Sequence, residues 1–330
     1  MGEQMIRRRF TRYTLILFFM LFLTLAHVLP VYAATLTLHP SGSAASDNAT
    51  YYGGTAADAL DSSDGDTSYG QSVNDSTDLY LEVDDSSKTN PINSVTVYAV
   101  AKRSGGNSTN NAFRIGITTN SSSYFDSGHD LTGTSYVTFS GDTYTTNPQS
   151  SAAWTWSEVN SLVAIVNSLT STDFNVTELY VVVDYTPVPS ITIARSMSTI
   201  SDPVNNTTAP LAIPGAVMEY SVVVANDGDA SPDADSVYVT APVDSVNEAY
   251  DVNTGVSFTD GSTSSALSLG TVTYSSTAAP GPYVYDYTPV PDGQGYDGSV
   301  TSIKINTTGT MAYGGSPSPS FTVKFRTKVE

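Results

Sequence analysis

The 330 residues contain no cysteine. That removes disulfides, thiolate zinc sites and cysteine nucleophiles together. Stability must then come from buried apolar surface, hydrogen bonds or bound ions. Histidine is scarce, with three in the chain, and neither H-E-x-x-H nor G-x-S-x-G occurs. Metalloprotease and serine-hydrolase chemistry therefore has no motif to rest on. Positive charge is short as well: 13 Lys and Arg stand against 32 Asp and Glu, a formal net charge of −19. That balance argues against nucleic acid as a partner. Long runs of Ala, Leu, Glu and Lys at helical spacing are missing, whereas Tyr (21) and Gly (24) are plentiful and Ser, Thr and Asn abound. Such a composition favours strands and turns.

One long apolar run is present. Arg7, Arg8, Arg9 and Arg12 precede the stretch from Tyr13 to Ala26, and Val31-Tyr32-Ala33 ends on residues suited to signal peptidase. The pattern predicts an export signal over residues 1–33. The arginines resemble the twin-arginine consensus, but the Leu- and Phe-rich core fits the general secretory route better. An uncleaved anchor is the alternative, since Tyr13 to Leu29 is long enough to span a bilayer. No cysteine is available for a lipid anchor, and the C-terminal residues show no sorting motif with an apolar tail. Cleavage takes four of the 13 basic and one of the 32 acidic residues, leaving 9 against 31. The mature chain is too long for one usual sandwich, so two domains are expected.

The first domain is expected over residues 34–186. Thr35-Leu-Thr-Leu38 and Asp78-Leu-Tyr-Leu-Glu-Val83 read as strands on either side of a polar stretch, Ser41 to Gly70. Val95, Val97, Ala99 and Ala101 alternate with Thr96, Tyr98, Val100 and Lys102. Phe113, Ile115 and Ile117 alternate next, Tyr136-Val-Thr-Phe139 follows, and Leu179, Val181, Val183 and Tyr185 close the domain. Period 2 marks half-buried strands. Between the last two, Trp154-Thr-Trp156-Ser157-Glu158-Val-Asn160-Ser-Leu162 predicts a brief helix capped by Ser157, with Asn160 where a capping box wants Glu or Gln. Thr145-Thr-Asn-Pro148 and the Trp154 to Leu162 segment resemble a jelly-roll module of secreted and phage structural proteins. The resemblance implies a jelly-roll fold and says little about function.

Pro187-Val-Pro189 makes residues 187–190 a stiff linker, because each proline fixes φ and disfavours helix before it. The second domain, residues 191–330, is organised around one strand. Pro214-Gly215 is a turn, Met218, Tyr220, Val222 and Val224 then share one face, and Asn226-Asp227-Gly228 ends the run in residues suited to a left-handed or tight turn. Val237 and Val239, the series Tyr283, Tyr285 and Tyr287, and the pair Ile303 and Ile305 read as further strands. Phe321, Val323, Phe325 and Val329 alternate with Thr322, Lys324, Arg326 and Lys328, which reads as an edge strand guarded by basic side chains. The Pro214 to Gly228 pattern and this final strand resemble the conserved-repeat domain of unknown function found in bacterial and archaeal cell-surface proteins. An immunoglobulin-like sandwich is what the resemblance implies. Where family members carry Lys and Asp this chain has Arg195 and Ala241, and arginine cannot form an isopeptide crosslink.

Calcium is the sharpest chemical expectation. Asp58, Asp61, Asp64 and Asp66 cluster about Gly65, and a hard cation of high coordination number wants such oxygens brought to one point. Asp227, Asp229, Asp233 and Asp235 form a second cluster of the same kind. The other reading is ordinary solvated loops on an acidic exported protein. Trp154, Trp156, Tyr51, Tyr52, Tyr69 and Tyr124 offer flat faces on which sugars stack, although large aromatics also build cores, the better reading for the two tryptophans. Glu158 and Asp173 are carboxylates a glycosidase would use, but surface charge accounts for them equally. Sequons such as Asn48, Asn107, Asn206 and Asn306 follow from an Asn-, Ser- and Thr-rich chain.

The expectation is an exported, all-β protein of two β-sandwich domains, jelly-roll-like and then immunoglobulin-like, without catalysis. A structural or adhesive role at the cell surface, against cell-envelope or extracellular-matrix components, is the first reading. A carbohydrate-binding protein that holds polysaccharide on its first sandwich, with calcium as its ion, is the alternative. Membrane contact is expected only through a retained N-terminal segment.

Overall fold

The computed structural model describes residues 33–43, 49–72, 78–105 and 109–330. The expected export signal, apart from Ala33, and the sequons at Asn48 and Asn107 lie outside the described residues. No helix among the described residues is long and apolar enough to cross a membrane. The chain forms two compact units, the first ending at Thr186 and the second starting at Pro187. Both are all-β.

The strands of the first unit are β1 (Ala34–Leu38), β2 (Pro40–Ser43), β3 (Thr50–Tyr52), β4 (Tyr69–Ser72), β5 (Asp78–Val83), β6 (Ile92–Arg103), β7 (Thr109–Thr119), β8 (Ser122–Phe125), β9 (His129–Leu131), β10 (Val137–Tyr144), β11 (Val163–Ser168) and β12 (Phe174–Tyr185). One antiparallel sheet has the order β10-β6-β12-β4-β3, with β1 also on β12. The other has the order β2-β5-β11-β7-β8, with β9 also on β7. Successive strands pass from one sheet to the other at most connections, the winding of a jelly roll. Period 2 explains the layering: Leu79, Leu81 and Val83 of β5 point inward to meet Val95, Val97 and Ala99 of β6 in a single core. Each such Leu or Val side chain contributes about 1.5–3 kcal/mol when fully buried.

Three local features depart from the sequence reading. The polar stretch from Ser41 to Gly70 contains the short strand β3, the end of β2, the start of β4 and the helix Ala56–Leu60, whose Ala59 and Leu60 are fully buried. β11 had no alternation to betray it, because Ala164, Ile165 and Val166 are all buried and a continuous apolar run carries no period. The helix Trp156–Asn160 is capped by Thr155, not Ser157, and Glu158 completes a full capping box three residues on. Trp154 and Trp156 are core residues, 5% and 9% exposed, with indole N–H groups donating to the carbonyls of Tyr144 and Asn90.

The second unit contains β13 (Ile191–Ser201), β14 (Val217–Asn226), β15 (Tyr238–Pro242), β16 (Glu248–Asp251), β17 (Ser257–Asp260), β18 (Ser268–Ser275), β19 (Tyr296–Asp297), β20 (Ser302–Thr308) and β21 (Ser320–Val329). A six-stranded sheet of order β13-β14-β21-β16-β19, with β17 also on β21, faces a three-stranded sheet β15-β20-β18. Val222, Val224, Ile303, Ile305, Phe321 and Val323 meet in the core between them. The Pro214 strand is central, paired with β13 on one side and β21 on the other.

β21 is not an edge. It lies between β14 and the β16 and β17 strands, and its Lys324 and Arg326 reach across to Glu219 of β14 at 2.8 and 3.1 Å. Cross-strand ion pairing, rather than edge protection, places those cations. The Tyr283 to Tyr287 series forms no strand; Tyr287 makes one isolated bridge to Tyr274. Pro280, Pro282, Pro289 and Pro291 flank it and supply no ladder donors. The tyrosines instead anchor a loop, Tyr285 through its hydroxyl contact with Ser302 and Tyr287 through Asp297.

Candidate functional site

The outer face of the sheet β10-β6-β12-β4-β3 carries the richest set of side chains in the first unit. Its inner face is core, so the alternate positions point outward. Asn175 of β12 sits opposite Gln71 of β4 and Lys102 of β6. These three polar side chains make a row across the sheet, and the Gln71 amide donates to Asn175 Oδ1 at 3.3 Å. The Tyr52 hydroxyl donates to Gln71 Oε1 at the near end. At the far end Lys102 Nζ lies 4.6 Å from the centre of the Tyr136 ring.

Two stacked tyrosine pairs lie on the same face. Tyr52 and Tyr69 are cross-strand partners with ring centres 4.7 Å apart. Tyr98 and Tyr180 are likewise partners, 5.3 Å apart and 10° from coplanar. Glu178 stands one outward position from Tyr180, towards the polar row. From β10 to β3 is four interstrand steps, about 19 Å.

A β-bulge builds one end of this face. The register of β12 against β6 slips between Val176 and Glu178, leaving Thr177 as the extra residue. Its fully buried hydroxyl lies within hydrogen-bond distance of the carbonyls of Gly65 and Ser68 and of Asp64 Oδ1. The loop so gripped carries Asp66 to Lys102 Nζ at 2.6 Å and to the Tyr136 hydroxyl at 3.1 Å.

The electrostatics follow from these contacts. The hydrogen bond from Lys102 holds the Asp66 carboxyl below its ordinary range, with Tyr136 and Asn175 assisting. Burial pushes the Tyr136 phenol up, and its bond to Asp66 pushes further. Burial also raises the Glu178 carboxyl; His39 opposes the rise and Asp61 adds to it. Tyr180 is raised by burial and by the Glu178 charge. His39 closes the face, its ring centre 6.4 Å from Tyr180 and its Nδ1–H donating to the Asp61 carbonyl.

The four aspartates of the first acidic cluster do not converge. Asp58 caps the helix Ala56–Leu60 through Thr55. Asp61 lies beside His39, at 3.6 Å. Asp64 accepts from the backbone and hydroxyl of Ser68, and Asp66 faces Lys102. In the second cluster Asp227 accepts from the Thr192 hydroxyl, and Asp229 donates its backbone N–H to Val188. The Asp233 carbonyl takes the Ser236 hydroxyl, and Asp235 Oδ1 takes the Gly309 N–H. No group of three or more His, Asp or Glu side chains placed to hold a metal ion occurs among the described residues.

Of the aromatic candidates, Tyr52 and Tyr69 are on the platform. Tyr51 and Tyr124 pack against the core, as the tryptophans do. Glu158 is held in its capping box and by the Asn147 amide, which leaves it no part in a carboxylate pair. The sequence reading did not single out Tyr98, Tyr180, Glu178, Gln71, Asn175 or Lys102 as a site. The signal was available in part: outward aromatics between inward apolar residues on long strands, as Tyr98 stands between Val97 and Ala99.

No family model matches the chain. No curated protein matches it either. Among solved structures it is similar to the N-terminal CBM22-1-CBM22-2 tandem domain of Paenibacillus barcinonensis Xyn10C, at 9% identity over 90% of this chain and 97% of that one, with a TM-score of 0.29. It is also similar to the triple jelly roll of an archaeal virus turret, at 10% identity over 78% of this chain and 56% of that one, with a TM-score of 0.20. A fucolectin from striped bass (Morone saxatilis) serum is similar at 11% identity over 91% and 97%, with a TM-score of 0.24. Likenesses at this level leave the function of the face to be read from its own residues.

Proposed function

We propose that the first unit is a non-catalytic glycan-binding module of an exported protein, and that the polysaccharide lies across the outer face of β10, β6, β12, β4 and β3. The observation that carries this reading is the placement of two stacked tyrosine pairs around the Gln71, Asn175 and Lys102 row. A sugar ring presents C–H faces that pack on aromatic surface and hydroxyls that need both donors and acceptors. The tyrosines supply the first, and the Gln71 amide, Glu178 and the exposed Asp66 carboxylate that Lys102 holds supply the second, while Asn175, 5% exposed, orients Gln71 from beneath. The width of the face, about 19 Å from β10 to β3, suits a short oligosaccharide segment better than a single ring. The second unit would serve as a structural module that presents the first at the cell surface.

Retention of the purified protein on a panel of soluble and insoluble polysaccharides, with calcium and again with chelator, tests this. Retention on at least one is expected, falling at least tenfold in Tyr52→Ala and in Tyr180→Ala while tryptophan emission stays that of the parent. Retention on none, or variants that bind as the parent does, would overturn it and return the structural or adhesive role to first place.

A further inference from the structure

The second unit leaves an inward-facing strand surface uncovered. β13 pairs with β14 alone and is exposed along most of its length. The register sets Ile193 opposite Val224, Arg195 opposite Val222 and Met197 opposite Tyr220. Val222 and Val224 point into the core, so Ile193, Arg195 and Met197 lie on the core side of the sheet. They are nevertheless open: Ile193 is 61% exposed and Met197 57%. The smaller sheet stops short of them, because its border strand is β15, which pairs only with β20. A groove of about 420 Å³ occupies the gap, with Ile193, Arg195, Tyr220 and Val222 on one side and Tyr238 to Ala241 on the other.

Two properties fix what fits there. The free border of β15 offers unpaired backbone groups to an added strand, which would extend the smaller sheet over β13. Arg195 is the charged residue of the lining; its backbone belongs to the β13–β14 ladder, and no side-chain hydrogen bond or ion pair joins its guanidinium to another described residue. In a chain of net charge −19 it is a cation held in an apolar groove. An incoming strand that sets apolar side chains on Ile193 and Met197 would place the side chain between them at Arg195, where a carboxylate forms a charge-assisted pair.

We propose that this groove binds an extended partner segment by strand addition to β15, the segment alternating apolar and polar residues and carrying one carboxylate among its inward-facing side chains. The site is separate from the glycan face and independent of it. An inward charge on an edge strand can also act purely to keep the edge unpaired. The two roles give opposite results below.

The probe is a fluorescent nonapeptide, Val-Thr-Val-Thr-Glu-Thr-Val-Thr-Val, titrated with the full-length protein by anisotropy and compared with its Lys-centred counterpart. Saturable binding at least tenfold tighter for the Glu peptide is expected. Arg195→Glu should invert the preference, Ile193→Thr should weaken both, and amide exchange across Tyr238 to Ala241 should slow on binding. No saturable binding, equal affinity for the two peptides, or no response to Arg195→Glu would overturn the proposal and leave Arg195 as an edge guard. A concentration-dependent dimer that Arg195→Glu splits and the peptide fails to displace would overturn it in favour of a second copy of this chain.

Discussion

The side-chain oxygen of Asn226 accepts the N–H of Gly228 at 3.1 Å, and the N–H of Ser190 at the same distance. Its amide nitrogen donates to the carbonyls of Ala230 and Ala312 at 2.9 and 3.1 Å. A fully buried carboxamide thus fastens the end of β14 to the segment before β13 and to two loops. Gly228 is required for the same junction. A Cβ there would stand 2.4 Å from the Ser190 nitrogen and 2.4 Å from the Val188 oxygen, both backbone atoms. Of the left-handed or tight turn expected from sequence, Gly228 has no left-handed φ, and close approach of backbone atoms is what requires it.

Asn226→Ala should therefore cost the second unit about 3 kcal/mol, since it strands several buried backbone partners. Gly228→Ala should cost as much or more through displaced backbone. Both tryptophans lie in the first unit, so urea unfolding separates the two. The far-UV circular dichroism transition of the second unit should move to lower urea while the tryptophan emission midpoint stays put.

The fold class and most long strands were legible because inward and outward residues alternate in β6, β12, β14 and β21. What was not legible has physical causes. β11 is buried on successive residues and shows no period. The short helix took Thr155 as its cap because Glu158 sits three residues on, and the Ser157 and Asn160 pairing offered no reciprocal carboxylate. The candidate face was legible only strand by strand. Tyr98 and Tyr180 are 82 positions apart in sequence, and only the β6 and β12 register stacks them. The acidic clusters looked alike in sequence, yet the carboxylates of Asp58, Asp64, Asp66, Asp227 and Asp235 each take a nearby donor of their own, a fact of geometry and not of composition.

Acid should weaken the second unit through Asp202. Its carboxylate accepts the backbone N–H of Asn205, Leu211 and Val204, each at 2.6 Å, and these bonds hold its pKa below the ordinary value. A depressed carboxyl contributes stability above its unfolded pKa, about 3.9, and loses it as pH falls through the folded value. Asp202→Asn should lower the urea midpoint at pH 7 and converge with the parent in strong acid. A constant offset at every pH would contradict the assignment.

Glu178 should behave in the opposite sense. Burial raises its pKa, so its ionised form is a cost to the first unit at neutral pH. The contribution is fully present below the unfolded value, about 4.3, and is lost as pH rises through the raised one. Glu178→Gln should raise the tryptophan-detected urea midpoint at pH 7 and leave it unchanged near pH 3. The same variant should lose polysaccharide retention, because a strong acceptor on the tyrosine platform becomes a weaker one. Gain of stability together with loss of retention is the pattern of a residue kept for binding, and neither half alone would support that role.

Chelation separates the calcium reading from the arrangement of side chains described above. An ion bound only to the folded state at a hundred times its Kd adds about 2.7 kcal/mol, enough to move a thermal midpoint by several degrees. Calcium at Asp58, Asp61, Asp64 and Asp66 would have to draw Asp66 away from Lys102 and Asp64 away from Ser68. Melting in calcium and in EDTA should therefore give the same midpoint for each unit. A midpoint several degrees lower in EDTA, with the difference abolished by Asp64→Asn, would show instead that the loop closes around an ion and that the Thr177 bulge holds a calcium site in place beside the tyrosine platform.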